Sequence, residues 1–284
     1  MPSVLPHRNR RLFRLVAVPA LVLALGALST GAAAAAPPQR DASGPGGAAG
    51  GQDRGGPSKA SRGYDISYPQ CGGAYPDNPL FAIVGINGGK VFSGNPCLES
   101  QLAWGGDAEA ELYVNTGNPG PALSSFWPIG QTAPRFCDPN NTDTVDCAYD
   151  YGWNAAADSY ARGEQAYAAR GITANPNATT WWFDVETANS WRSDTSLNVA
   201  ALQGGYDYLR SRGVTKLGFY STTYQWGVIT GGTKVFAAHP SWGAGAPSER
   251  VAKNHCSSTT TSFTGGRLAM VQYIYDGFDA NVRC

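Results

Sequence analysis

From residue 63 onward, short apolar runs recur between turn residues: Tyr64–Ser67, Phe81–Ile86, Glu111–Asn115, Trp181–Val185, Leu217–Tyr220 and Leu268–Tyr273. Each is four to six residues long and rich in Val, Ile, Phe, Trp or Tyr, the pattern of buried strands. Two longer stretches have helical spacing. Tyr149 to Arg170 places Tyr149, Trp153, Ala156, Tyr160 and Tyr167 on one side, with Gly171 as a stop. Thr195 to Arg212 does the same with Leu197, Ala200, Ala201 and Tyr208, between a capping Asp194 and Gly213. Strands alternating with helices predict an α/β domain with a mostly parallel sheet. At this length about eight such units fit, which favours a TIM-like (β/α) barrel. An open doubly wound sheet is the alternative, but its Gly-rich dinucleotide fingerprint is missing.

The first 62 residues follow other rules. Arg8, Arg10, Arg11 and Arg14 precede an apolar run from Leu15 to Leu28, and a small-residue stretch ends in Ala-x-Ala at Ala36. That is the pattern of a secretory signal peptide over 1–36, too short for a membrane span of roughly 20 residues. Pro37 to Arg62 is rich in Gly, Pro, Ala and Ser without large apolar side chains, so 37–62 reads as a flexible linker. All eight tryptophans and all six cysteines fall in 63–284, which reads as one domain.

The whole chain balances 21 basic against 21 acidic side chains, but 63–284 holds 13 basic and 19 acidic, a net charge of −6. Such a domain is expected neither to bind nucleic acid nor to lie on a membrane. In an exported chain the six cysteines predict three disulfides. Sequence proximity favours Cys71–Cys97, Cys137–Cys147 and Cys256–Cys284.

Elimination narrows the chemistry. Beyond residue 36 the histidines are His239 and His255, far apart and outside any zinc-site pattern. Neither a nucleophile-elbow serine nor a phosphate loop is present. No metal or cofactor is expected. What remains is carboxylates at strand ends, and the sharpest case is Trp181-Trp182-Phe183-Asp184-Val185-Glu186. In a strand, Asp184 and Glu186 share a face about 6–7 Å apart. At an effective dielectric near 20, two such charges repel by about 2.5 kcal/mol. That repulsion lets one carboxyl keep its proton as an acid while its neighbour stays ionised. The bland alternative is a turn-capping Asp followed by a surface Glu.

Asp65 lies in the first strand, and Asp276, Asp279 and Asn281 follow Met270–Tyr273, which reads as the last strand. First and last strands are neighbours in a barrel, so these groups can converge on the Asp184–Glu186 pair. A buried structural acid (Asp65) and a turn (Asp279) are their ordinary readings. Trp182, Trp191, Tyr220, Tyr224, Trp226, Trp242 and Tyr273 sit near the same strand ends. Aromatic faces pack on sugar rings, although most aromatic side chains serve the core. Asn115 and Asn118 follow the third strand, where they can bond ligand hydroxyls or simply form a turn.

The ordered set G-Y-D-I-S-Y-P-Q, F-A-I-V-G-I-N-G-G, W-W-F-D-V-E-T, L-G-F-Y-S-T-T-Y, P-S-W and V-Q-Y-x5-D-A-N-V resembles the glycoside hydrolase family 25 lysozymes and their relatives in secreted actinobacterial proteins. The resemblance spans nearly all of 63–284. It implies an irregular β/α barrel that cuts the β-1,4 bond between N-acetylmuramic acid and N-acetylglucosamine. Carried over by position, Glu186 matches the proton donor, Asp184 the acid beside it, Asp65 the first-strand aspartate, and Asp279 (or Asp276) the acid near the C-terminus. Gly85-Ile86-Asn87-Gly88-Gly89 stands where the family has Lys-x-x-Glu-Gly, and Tyr113-Val114-Asn115 where it has Tyr-His-Phe. The insertion holding Cys137 and Cys147 is expected to reshape one side of the cleft.

The reading that follows is a secreted, monomeric glycoside hydrolase acting on peptidoglycan, with Glu186 as acid and Asp184 as stabiliser. Asp65 and Asp279 would complete the catalytic set, and Asn115, Trp182, Tyr220, Trp242 and Tyr273 would hold sugar. Two others stand beside it: a wall-binding barrel without turnover, and a chitinase-like N-acetylhexosamine hydrolase. The longer D-x-x-D-x-D-x-E pattern of the latter is broken at Thr179 and Trp182.

Overall fold

A computed structural model describes residues 62–257 and 262–284; the expected signal peptide (1–36) and all but the last residue of the expected linker (37–62) lie outside the described residues. Eight strands form a closed barrel in chain order: β1 Gly63–Ile66, β2 Ala82–Gly85, β3 Glu111–Asn115, β4 Trp181–Asp184, β5 Leu217–Ser221, β6 Ser241–Ala246, β7 Leu268–Tyr275 and β8 Phe278–Arg283. Strands β1 to β7 are parallel neighbours, whereas β8 runs antiparallel to both β7 and β1.

The barrel therefore departs from eight repeated βα units. Met270–Tyr273 belongs to the seventh strand, and Asp279 and Asn281 lie in an eighth. The two strands are joined by Asp276 and Gly277, both at positive φ (52° and 78°). That is the backbone of a type I′ hairpin turn, which Asp-Gly favours. A two-residue connection leaves no room for a crossover helix, so β8 must return antiparallel. The other strand missed by periodicity, β6, has the sequence Ser-Trp-Gly-Ala-Gly-Ala and too few large side chains to signal itself.

The described residues hold five α-helices: α1 Leu98–Trp104, α2 Val145–Ala169, α3 Thr195–Ser211, α4 Thr223–Thr230 and α5 Glu249–Cys256. Helix α2 starts four residues earlier than its apolar spacing predicts, because the Thr144 side chain caps it by accepting from the Cys147 N–H. Asp194 caps α3 as expected, accepting from Ser196. The two long helices meet backbone to backbone. A Cβ on Gly152 would lie 1.8 Å from the Ala201 carbonyl oxygen, and one on Gly204 would lie 1.9 Å from that of Tyr149. No described helix is long and apolar enough to cross a membrane.

Strand alternation sorts the core. Trp181 and Phe183 point outward with Val84, Leu112 and Phe219, packing on Tyr160 of α2, Leu202 of α3 and Trp226 of α4. Trp182 points inward among Ile83, Trp242 and Met270. Gly218, opposite Trp182, accommodates the indole, since a Cβ there would come within 2.3 Å of the ring.

All three disulfides pair by sequence proximity: Cys71–Cys97, Cys137–Cys147 and Cys256–Cys284, with Cα separations of 5.6, 4.6 and 5.0 Å. The first ties the turn after β1 to the start of α1, and the third ties α5 to the end of β8. Closing loops of 26 and 28 residues, each stabilises the fold by about 3.5 kcal/mol in the chain-entropy account. The second pins the insertion between β3 and α2 to the first turn of α2. There Trp127, Tyr149, Tyr151 and Leu197 make a small core of their own.

Candidate active site

Cross-strand register assembles the site at the carboxyl ends of the parallel strands. Asp184 is the last residue of β4 and pairs with Asn115 on β3 and Tyr220 on β5. Tyr220 pairs with Trp242 on β6, and Gln272 on β7 pairs with Asn281 on β8. Because β8 runs the other way, its beginning reaches the same rim, and Asp279 stands opposite Asp65 of β1. Like charges placed directly across a strand pair are destabilising, so packing alone gives no reason for this choice.

Asp65, Asp184, Glu186 and Asp279 line one open cleft of about 280 Å³ with Tyr68, Gln70, Tyr113 and Asn115. Its deeper end, about 110 Å³, is walled by the same four acids with Tyr220, Trp242 and Gln272. The hairpin-turn Asp276 lines neither part, so Asp279 is the C-terminal acid of the site.

A hydrogen-bonded chain sets the orientation of Asp65. The Trp242 indole N–H donates to Asn281 Oδ1 at 2.8 Å, and Asn281 Nδ2 donates to Asp65 Oδ1 at 2.5 Å. From the other side, Tyr220 donates to Gln272 Oε1 at 2.7 Å, and Gln272 Nε2 reaches both Asp65 oxygens at 3.1 and 3.2 Å. With each amide oxygen occupied, both amide nitrogens must face the carboxyl group. Burial pushes Asp65 up to about 8, Asp279 adds to the rise, and the Asn281 and Gln272 donors oppose it.

The other acids move the same way. Burial holds Asp184 well above the usual carboxylate range, with Glu186 and then Asp65 contributing. Asn115 Nδ2 donates to its Oδ2, while Oδ1 has no protein partner. Glu186 is half-buried; its rise comes from burial and Asp279, opposed by a hydrogen bond from Gln225. Burial also raises Asp279. Among the described residues, no Lys or Arg forms an ion pair with any of the four. No group of His, Cys, Asp and Glu among them is arranged to hold a metal ion.

The segment after β4 is fixed by its backbone. Thr116 Oγ1 and N–H both donate to the Asp184 carbonyl, the Ser221 hydroxyl donates to that of Val185, and the Trp191 indole N–H donates to that of Glu186 at 2.7 Å. Gln225 Oε1 accepts from the Thr187 N–H at 2.6 Å, which leaves its amide nitrogen for Glu186.

The structure thus brings Asp65, Asp184, Glu186, Asp279, Asn115, Tyr220 and Trp242 into one cleft. It does not bring in Trp182 or Tyr273. Trp182 shares the face of Asp184 but lies two residues deeper, buried, with its indole N–H donated to Glu111 at 2.7 Å. Tyr273 has the opposite parity to Gln272 and points outward, packing with Tyr64, Val271 and Ala252 of α5. Trp226 belongs to the outer core, Tyr224 is exposed on α4, and Asn118 is buried against Asn198. Tyr113, Gln225 and Gln272 were not read as site residues. For Gln272 the parity of its strand was a usable signal, because it pairs with Asn281 on the inner face.

A protein-family model described as lysozyme-like protein 1 matches residues 137–255. Over that stretch the chain is similar to lysozyme-like proteins. The match contains Asp184 and Glu186 and stops short of Asp65 on one side and Asp279 on the other. Solved structures similar to the chain include a muramidase from Trichobolus zukalii (18% identity, 79% of this chain and 94% of that one covered, TM-score 0.48). Others are a bacterial lysozyme from Streptomyces coelicolor (15% identity, 80% and 93% covered, TM-score 0.47) and a glycoside hydrolase family 25 lysozyme from Aspergillus fumigatus (15% identity, 78% and 93% covered, TM-score 0.46). No curated protein matches the sequence.

Proposed function

We propose that this lysozyme-like chain is a secreted glycoside hydrolase that cleaves β-1,4 bonds in the glycan strands of peptidoglycan. The observation that carries the reading is the convergence of four carboxyl groups, without an ion pair to any Lys or Arg among the described residues, on one open cleft at the barrel rim. Glu186, the half-buried acid of the D-x-E pair, is the proton donor to the glycosidic oxygen. Burial and Asp279 keep it protonated to higher pH than a free glutamate, which suits a general acid. In this role Asp184, which burial raises most and Glu186 raises further, faces the positive charge that develops on the sugar, and that charge favours its ionised form. Asn115 orients Asp184 through Oδ2, and Oδ1 is left buried without a protein partner.

The test is release of reducing ends from purified peptidoglycan by the intact protein and by Glu186→Gln. Loss of a general acid is expected to cost about 100- to 10,000-fold in rate. Mass spectrometry of the fragments then names the bond. No release from peptidoglycan or chitin, with retention on the wall intact, would replace this reading with a binding barrel.

A further inference from the structure

A second cavity, about 320 Å³, opens beside the acid cleft and is lined by residues that follow the two stretches departing from the family pattern and by the insertion. Lys90, Val91 and Phe92 follow the Gly88-Gly89 stretch after β2, and Leu123 to Phe126 come from the insertion that Cys137–Cys147 pins to α2. The two cavities are neighbours. Asn189 lines both, and Gly89 and Asn115 of the cleft are followed in the chain by Lys90 and Thr116 of the cavity.

Its surface has two chemical halves. Phe92 and Phe126 stack face to face, with centroids 4.3 Å apart and planes within 9°, and Tyr151 supports Phe92 edge-on at 5.4 Å. Phe126 is 54% exposed and Leu123 78%, so apolar surface is offered to a ligand rather than spent on the core. Phe92 sits at φ 54°, an uncommon conformation for an aromatic residue. At the other side stands the exposed Lys90 ammonium, which makes no ion pair among the described residues. In a domain of net charge −6, Lys90 is the one Lys or Arg among the residues lining this cavity and the acid cleft, so an anionic group entering here meets it.

We infer that this cavity is a subsite for the short peptide substituent of the glycan strand, with Lys90 taking a peptide carboxylate and Phe92, Phe126 and Leu123 taking its small apolar side chains. The inference rests on the peptidoglycan reading and deepens it. A polymer cut in the acid cleft must continue past it, and the substituent of the next unit falls into the adjoining cavity. A bare sugar ring would use the aromatic stack but not the ammonium; an acidic peptide uses both.

The experiment has two arms on the intact protein. In the first, Glu186→Gln is titrated with two soluble disaccharides, one bearing the peptide and one stripped of it. The peptide-bearing form is expected to bind about fivefold tighter at low salt, and Lys90→Glu, combined with Glu186→Gln, is expected to abolish that preference. Phe126→Ala in the same background should reduce it. Both substituted side chains are exposed, and an unchanged melting temperature confirms the fold. Equal binding of the two disaccharides, or a preference that survives Lys90→Glu, would overturn the subsite. In the second arm, the otherwise unaltered protein hydrolyses peptidoglycan and peptide-stripped glycan strands. Lys90→Glu is expected to raise KM on the first more than on the second, with little change in kcat. Hydrolysis of both with the same KM and no response to Lys90→Glu sinks the subsite and leaves the enzyme reading standing. No hydrolysis of either, with peptide-dependent binding intact, removes the enzyme reading and keeps the subsite.

Discussion

The barrel encloses carboxyl groups at both ends, and the two ends treat them differently. At the bottom, Glu111 of β3 is buried, yet each of its oxygens has a donor: the Trp182 indole on Oε2 and the Arg283 guanidinium on Oε1, at 2.7 and 2.6 Å. Arg283 in turn lies 4.0 Å over the Phe81 ring. At the rim, four acids face one another with amides, a tryptophan and a tyrosine around them, and burial raises every one. A carboxylate inside a barrel is thus structural when a cation and a matched donor set balance it. It is poised to hold or release a proton when they do not.

Exchanging the two situations tests the contrast. The largest effect is expected at the rim: Glu186→Gln should lower kcat on peptidoglycan about 100- to 10,000-fold while the melting temperature holds or rises. Glu111→Ala should do the reverse. It leaves the Trp182 N–H without a buried partner and should cost about 1–3 kcal/mol in a denaturant titration, with kcat intact. A stable Glu111→Ala protein with no activity would break the contrast.

A smaller and more diagnostic effect concerns pH. Asp65 binds its proton more tightly in the folded chain, up to about 8, than the ordinary 3.8. Its contribution to stability is therefore fully present below about pH 4 and is lost as the pH rises toward 8. Asp65→Asn should flatten the fall of melting temperature across that window. The smallest expected change is Tyr220→Phe. It frees the Gln272 amide to turn its oxygen toward Asp65, and kcat/KM should fall about fivefold, matching the loss of a single neutral hydrogen bond of about 1 kcal/mol. A rise in KM alone would place Tyr220 in substrate contact instead.

Residue patterns revealed the rim better than the strands that deliver it. Asp184 and Glu186 stood out because two acids ended an otherwise apolar run, and the structure places them beside Asp65 and Asp279. Six strands and both long helices were legible from periodicity. The strand β6 was not, because glycine and alanine carry little hydrophobic signal. The last hairpin was readable, since Asp276-Gly277 between alternating apolar residues favours a type I′ turn. Reading it would have moved Asp279 from a turn into a strand. Trp182 and Tyr273 show the other limit. An aromatic residue near a strand end says nothing about its layer or side, and depth put one below the site while parity put the other outside.

The antiparallel eighth strand also decides where the barrel can be held. The chain enters at Gly63 and its final strand ends at Arg283, and both positions lie at the face away from the acids, with Cys284 fastened there to Cys256. A label, surface anchor or partner domain joined at either end of the barrel would hang from the closed side. The cleft would stay turned outward, free to meet a polymer too large to diffuse to it.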